Sequence, residues 1–402
     1  MAPVHPATAC VADPDLPSVA TLLGEAVPGP VAAVAEATGG VVTDCHPVTV
    51  TWWPGASITV RNSVAVEGGE LAGCHDLVAA GGRIPDGALI VEADGTPVGV
   101  WRVPFDPALP GLAPALDDTH AARLLADLGS PAAKVTTRLR GYRPGRRAVV
   151  SVRGEREGIY VKVLRPERIQ RLHQRHELLA AVLPVPASLG CSSELGLMAL
   201  RALPGRTLRD VLEDPAGQLP APEEVAALVA DLPPPPDDQP MASIIERVPA
   251  FADLLRRVVP SEAAAVDRFV EELGEEDDED LVPVHGDFYE AQILTEGGRV
   301  VGFLDVDTFG LGRRGDDPGV MLGHLALWET MSTRPARVRA YTQELLEIWD
   351  RLHDPRDIRR RAAAALFTLA SGPFRVQAPD WPGETAARIA LARSWLKRAR
   401  AR

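Results

Sequence analysis

The chain has 402 residues, 46% of them hydrophobic and 24% charged, enough for two or three domains with buried cores. Its formal net charge of −13 excludes broad nucleic-acid binding, which needs a basic surface, and no apolar run approaches the ~18 residues of a membrane span. The four cysteines (Cys10, Cys45, Cys74, Cys191) form no CxxC pair and no basic residue precedes Arg61 to open a signal segment, so a cytoplasmic protein with reduced thiols is expected.

Residues 1–12 are rich in Pro and Ala and are expected to be poorly ordered. A β-rich module follows to about residue 115. "VTVTWWPGASITVRNSVAV" alternates around a Pro-Gly turn, and "ALIVEADGTPVGVWRV" gives two strand-like runs joined at Asp94-Gly95. A helical connector with Asp117, Asp118 or Thr119 as its N-cap leads on. From about 135 a second sheet opens in "VTTRLRGYRPGRRAVVSVRGEREGIYVKVLRP", and "RIQRLHQRHELLAAVLP" reads as a helix with Ile169, Leu172, Leu179 and Leu183 near one face. Helices dominate thereafter, with three more segments expected beyond residue 307. The tetraproline Pro233–Pro236 and the acidic run Glu275–Asp280 read as surface loops.

The chemistry concentrates in "VPVHGDFYEAQILTEGGRVVGFLDVD", residues 282–307. Gly297-Gly298 is a two-residue hairpin signal, so Glu296 should face Arg299 and Gln292 should face Phe303. Asp305 then shares a face with Gln292, diagonally across at roughly 7–8 Å between Cα atoms, and Asp307 continues that face. An amide oxygen and carboxylates so placed can ligate one hard cation; Mg²⁺ takes one or two carboxylates and completes its shell with substrate phosphates. Asp287, on the turn into the hairpin, would lie beside that metal.

An Asp, an amide residue five positions on, and an Asp leaving a strand match the kinase order of catalytic Asp, metal-binding amide and metal-binding Asp. That template also asks for a strand lysine at the phosphates and a helix glutamate to hold it. Lys162 lies in "IYVKVL" and Glu177 in the next helix. Only three of the 42 basic residues are lysine, so a lysine in an apolar strand reads as a chemical choice.

"HGDFYEAQ" and "GFLDVD", supported by "YVKVL" and Glu177, resemble the aminoglycoside phosphotransferase and choline kinase type of small-molecule kinase, over about residues 135–402. The resemblance implies an α+β fold of two lobes, a small antiparallel-sheet N-lobe and a helical C-lobe, with ATP and Mg²⁺ in the cleft between them. Residues 1–115 would be a β-rich cap like that of maltokinases and glucosamine kinases, 116–205 the N-lobe with its connector, and 206–402 the C-lobe. Asp287 would be catalytic; Lys162, Glu177, Arg143 and Arg146 would serve the nucleotide; Gln292, Asp305 and Asp307 would serve the metal, Asp307 as second ligand or structural support. Gln292 departs from the family's usual Asn by one methylene, and "GYRPGRR" replaces a glycine-rich phosphate loop with a turn carrying Arg143, Arg146 and Arg147. His285 reads as structural, bonding backbone near the loop. The acceptor is expected to be a sugar first, an aminoglycoside-like compound second, lying against C-lobe helices near Trp328, Glu329, Arg375 and Trp381; no nucleic-acid or membrane partner is expected.

Two other readings compete. "GLGRRG", residues 310–315, fits GxGxxG, but no βαβ series precedes it, as a dinucleotide-binding fold requires. A nucleotide-binding module without turnover would follow if Gln292 no longer supports the metal.

Overall fold

The computed structural model describes residues 11–127, 134–154, 158–236, 240–276 and 280–400. The expectations for the first ten residues, Cys10 among them, and for 277–279 in the acidic run lie outside these. Strands β1 (Val41–Trp53), β2 (Ser57–Glu67), β3 (Gly73–Gly81), β4 (Leu89–Ala93) and β5 (Thr96–Arg102) form one antiparallel sheet in the order β1-β2-β3-β5-β4. Trp53 pairs with Ser57 across the Pro-Gly turn. Ala93 pairs with Thr96 across Asp94-Gly95, whose φ values of 50° and 74° are those a two-residue hairpin requires.

β3 has no counterpart among the expected strands. Its run Leu77-Val78-Ala79-Ala80 is buried throughout, because this sheet is covered on both faces and so loses the polar alternation that marks a half-buried strand. Leu77 and Ala79 face a core that includes Leu254, Val258, Phe374 and Trp381 from C-terminal helices. Val78 and Ala80 face the second sheet, against Tyr142, Ala148 and Val150.

That second sheet comprises β6 (Thr136–Arg143), β7 (Arg147–Arg153), β8 (Gly158–Leu164), β9 (Ser188–Ser192) and β10 (Leu197–Arg201), in the order β6-β7-β8-β10-β9. The helix Pro166–Ala180 buries Ile169, Leu172, His176 and Leu179; Leu183 lies beyond its end. Short strands β11 (Arg206–Thr207), β12 (Leu281–Val284), β13 (Ile293–Glu296), β14 (Arg299–Phe303) and β15 (Gly310–Arg313) follow. They make two small sheets, β11-β13-β14 and β12-β15, on the edge of a helical body.

Beyond residue 307 five helices appear among the described residues rather than three segments: Asp316–Met331, Pro335–Leu352, Pro355–Leu369, Gly372–Arg375 and Trp381–Arg400. Prolines at the first or second position of four of these helices start them, because the missing N–H costs nothing there. The result is the expected α+β fold with an antiparallel N-lobe sheet, a helical C-lobe and an added N-terminal sheet.

Candidate functional site

β12 delivers His285, Gly286 and Asp287 into a turn tied down from several sides. The backbone N–H groups of His285 and Gly286 donate to the two carboxylate oxygens of Asp317 at 2.7 and 2.8 Å. Thr308 Oγ1 donates to the His285 carbonyl at 2.9 Å. The His285 ring stacks on Phe303 with centroids 4.4 Å apart. Its Nε2 donates to Leu304 O at 2.9 Å, and its Nδ1 accepts from Asp287 N at 3.3 Å. One donor and one acceptor define the neutral Nε2–H ring, and burial pushes its pKa down to about 4. His285 is thus a structural residue, as its setting in the sequence implied. Gly286 has φ +81°, and a Cβ there would lie 2.6 Å from Met241 Cε and 3.0 Å from Thr308 O, so any other residue would be strained.

Asp317 was not among the expected site residues. It is 2% exposed, and burial pushes its carboxyl up to about 7 despite the two N–H donors. Asp317→Asn offers one oxygen and one NH₂ where both positions must accept. It therefore strands a buried backbone N–H, and we expect a loss of about 1–3 kcal/mol, read from the urea midpoint at constant slope, together with lower kcat. A variant as stable and active as the parent would remove Asp317 from any role in holding the loop.

The metal candidates meet, though not by the expected register. Glu296 pairs with Arg299, but a bulge then sets Ile293, not Gln292, opposite Phe303. Gln292 sits in a 3₁₀ turn, Glu290–Gln292, and Asp305 leaves β14 in the left-handed region at φ 58°, ψ 50°. Those two irregularities bring Gln292 Nε2 to 3.4 Å from Asp305 Oδ2. Rotating the amide by half a turn presents its oxygen instead, giving an all-oxygen set of two carboxylates and an amide that suits Mg²⁺. Among the described residues no three His, Cys, Asp or Glu side chains form a metal site by themselves, so nucleotide oxygens would have to complete the shell.

Lys162 is brought to both aspartates, with Nζ 2.9 Å from Asp305 Oδ1 and bonded to Asp307 Oδ1. Arg147 reaches the same pair, 3.3 Å from Asp305 Oδ2 and 2.8 Å from Asp307 Oδ2. Burial alone would push the Asp305 carboxyl up, but Lys162 and Arg147 hold it well below the usual carboxylate range. Burial likewise opposes the Lys162 charge, and the two aspartates more than offset it. Asp287 makes no side-chain hydrogen bond among the described residues; burial, then repulsion from Asp305, pushes its carboxyl up to about 6, against the pull of Arg147, Arg143 and Arg247.

Glu177 is not brought to Lys162. Its side chain is 63% exposed and lies 3.4 Å from His173, because the face that meets the sheet is set by Ile169, Leu172 and His176. Arg175 of that helix instead donates to the Asp307 carbonyl. His176 is buried with Nδ1 2.8 Å from Pro186 O, its pKa pushed down to about 4 by burial and by Lys162. Arg143 and Arg146 flank the Pro144-Gly145 turn between β6 and β7, where Arg143 pairs with Arg147. Neither is within ion-pair distance of an acid among the described residues.

Of the expected acceptor walls, Trp381 is fully buried against Phe374, with centroids 5.1 Å apart, in the core under the N-terminal sheet, and lines no cleft. Trp328 is half-buried beneath the Arg209 guanidinium, 4.7 Å from its ring. Arg209 in turn bonds the fully buried Glu290. The GLGRRG stretch opens as β15, antiparallel to β12, and the helix N-terminus after it is filled by Asp316 and Asp317. A pyrophosphate would meet two carboxylates there, so the dinucleotide reading fails.

A buried strand lysine facing two aspartates, with a third aspartate on a loop held from beneath, defines a kinase-like phosphotransferase. The family model of the phosphotransferase enzyme family matches residues 138–354, more than half of the chain, and the chain belongs to that family; it is a small-molecule phosphotransferase. The match begins in β6 and leaves β1–β5 outside. No curated protein sequence matches the chain. Among solved structures it is similar to a thermostable mutant of aminoglycoside phosphotransferase APH(4)-Ia in ternary complex with ADP and hygromycin B, at 19% identity and TM-score 0.46, covering 68% of this chain and 97% of that one. Macrolide 2'-phosphotransferase MphH from Brachybacterium faecium is similar at 20% identity and TM-score 0.39, covering 68% and 97%. Among the described residues no helix is long and apolar enough to cross a membrane.

Proposed function

We propose that the chain transfers the γ-phosphoryl group of ATP to a hydroxyl of a small polar acceptor, a sugar in the first instance, with Mg²⁺ as cofactor and in the cytoplasm. The units would be a cap module at 1–115, an N-lobe at 116–205 and a C-lobe at 206–402. The observation that carries this reading is the convergence of Lys162 and Arg147 on Asp305 and Asp307, with Gln292 alongside.

In this mechanism Asp287 accepts the proton of the attacking hydroxyl, and its raised pKa suits a base working near neutrality. Lys162 and Arg147 hold phosphate oxygens, while Arg143 and Arg146 approach from the turn above. Mg²⁺, when bound by Asp305, Asp307 and Gln292, would neutralise charge on the phosphates. Most of the rate enhancement then comes from positioning and charge neutralisation.

The charge around Asp287 bears on the acceptor. Arg247 acts on Asp287, and Arg375 lies close enough to Arg143 to oppose its charge. Neither is within ion-pair distance of an acid among the described residues. The net charge of −13 belongs to the whole surface, but this locality is cationic and disfavours a polycationic aminoglycoside. Calorimetric titration of ATP with and without Mg²⁺, followed by a screen of neutral and acidic sugars against aminoglycosides, tests the reading. Mg²⁺-dependent ATP binding with turnover on a sugar is expected; a wild-type protein that binds no ATP would end it.

A further inference from the structure

The turn that carries Arg143, Arg146 and Arg147 is held by a residue from outside the family match. Arg143-Pro144-Gly145-Arg146 closes with Arg146 N donating to Arg143 O at 3.0 Å, and Gly145 takes φ +66°, as a Pro-Gly turn of type II requires. Such a turn at the end of a hairpin ordinarily moves. Here its backbone is fastened on both sides. Asp106, in the segment after β5 and 3% exposed, accepts from Gly145 N and from Tyr142 Oη through one oxygen, both at 2.7 Å. Its other oxygen accepts from Ala108 N at 2.9 Å, and Trp101 Nε1 of β5 donates to Tyr142 Oη at 3.1 Å. From the opposite side Arg165 Nε donates to Gly145 O at 2.8 Å.

We propose that Asp106 is a positioning residue of the nucleotide site: through Gly145 and Tyr142 the N-terminal module fixes the β6–β7 turn, so that its arginines stand ready over the phosphates. The chain has no glycine-rich loop to fold down over a nucleotide, and the tips of Arg143 and Arg146 reach no acidic partner of their own among the described residues. The ordering that a mobile loop undergoes on binding is therefore complete before ATP arrives, which raises affinity by lowering the entropy lost. This gives the added sheet a reason to be joined to the lobe it covers, since β5 and Asp106 are its only route to that turn among the hydrogen bonds of the described residues. The inference rests on the reading that this turn faces the nucleotide phosphates.

The test uses the full chain as Asp106→Ala and as Tyr142→Phe, which keeps the ring and the Asp106–Gly145 bond. Affinities for Mg²⁺-ATP and for adenosine, which lacks phosphates, are measured together with KM for the acceptor and the melting temperature. Losing the charged hydrogen bond should weaken Mg²⁺-ATP binding about ten-fold in Asp106→Ala, and by a smaller factor in Tyr142→Phe, with adenosine affinity and acceptor KM unchanged. Equal weakening of ATP and adenosine would mark a merely structural residue and overturn the proposal, as would parental ATP affinity in both variants. Should Asp106→Ala not fold, Tyr142→Phe decides alone by the same ratio. A wild-type protein that binds no Mg²⁺-ATP sinks the functional reading itself, whereas wild-type binding with unaffected variants sinks this inference only.

Discussion

Asp287→Asn should lower kcat by about 10²–10⁴-fold, the range general-base catalysis contributes, with Mg²⁺-ATP affinity unchanged or slightly tighter. The substitution is nearly isosteric on a loop held by other residues, by the Asp317 bonds to His285 N and Gly286 N and by the His285 ring on Phe303, so the fold should survive it. Tighter nucleotide binding would follow because Asp287 and Asp305 repel one another. The pH dependence follows from the same interaction. Burial and Asp305 raise the Asp287 pKa to about 6; its working form is the carboxylate, so kcat/KM should be flat above that value and fall as pH drops through it. If, as proposed, a metal ion on Asp305 neutralises it in the nucleotide complex, the limb in kcat should move to lower pH. Steady-state profiles of wild type and single-turnover rates of the variant check both parts. An Asp287→Asn protein that retains a tenth or more of the parental rate would remove Asp287 as the base.

The readable parts of this site were those fixed by local chain chemistry. That Asp287, Gln292, Asp305 and Lys162 would lie near one another was legible because an HGD-type loop, a Gly-Gly hairpin and a β-type run each leave a short signature. The hairpin register was not, since a bulge between Leu294 and Thr295 leaves no mark in residue types. Gln292 nonetheless reaches Asp305, through the left-handed backbone of Asp305 rather than through alternation. Glu177 failed because helical phase, not sequence order, decides which side faces the sheet, and the buried His176 takes that stripe. Asp317 carries a signal of its own: an acid opening a helix whose residues 318–323 are all buried must satisfy itself against buried donors. Asp106 carried none, because its partners Tyr142 and Gly145 are 36 and 39 residues away. Long-range hydrogen bonds are a property of the fold, and the N-terminal sheet's double coverage hid β3 for the same reason.

Asp305→Asn should abolish the Mg²⁺ dependence of ATP binding and lower kcat by on the order of 10²–10³, as when one charge-stabilising group is lost from a preorganised site. Asn is the informative choice, because Asp305 holds φ 58° and ψ 50° and Asn visits that region more readily than other residues with a β-carbon. Asp305→Ala removes the same carboxylate and adds backbone strain of about 1–2 kcal/mol. The two variants should therefore be equally inactive, with Ala the less stable in urea. Both leave Lys162 and Arg147 with Asp307 as remaining counterion, so neither strands a buried charge completely, and the loss should stay below the ~3–5 kcal/mol of a broken buried pair. Parental Mg²⁺-dependent binding in Asp305→Asn would mean that Asp305 only balances Lys162 and Arg147, and the metal would have to be sought on Asp307 and Gln292. Loss of Mg²⁺ dependence in both variants, with stability separated by the backbone strain alone, would tie the left-handed turn at Asp305 to the chemistry, because it is that turn which carries its carboxylate from the edge of a strand to Lys162, Arg147 and Gln292 together.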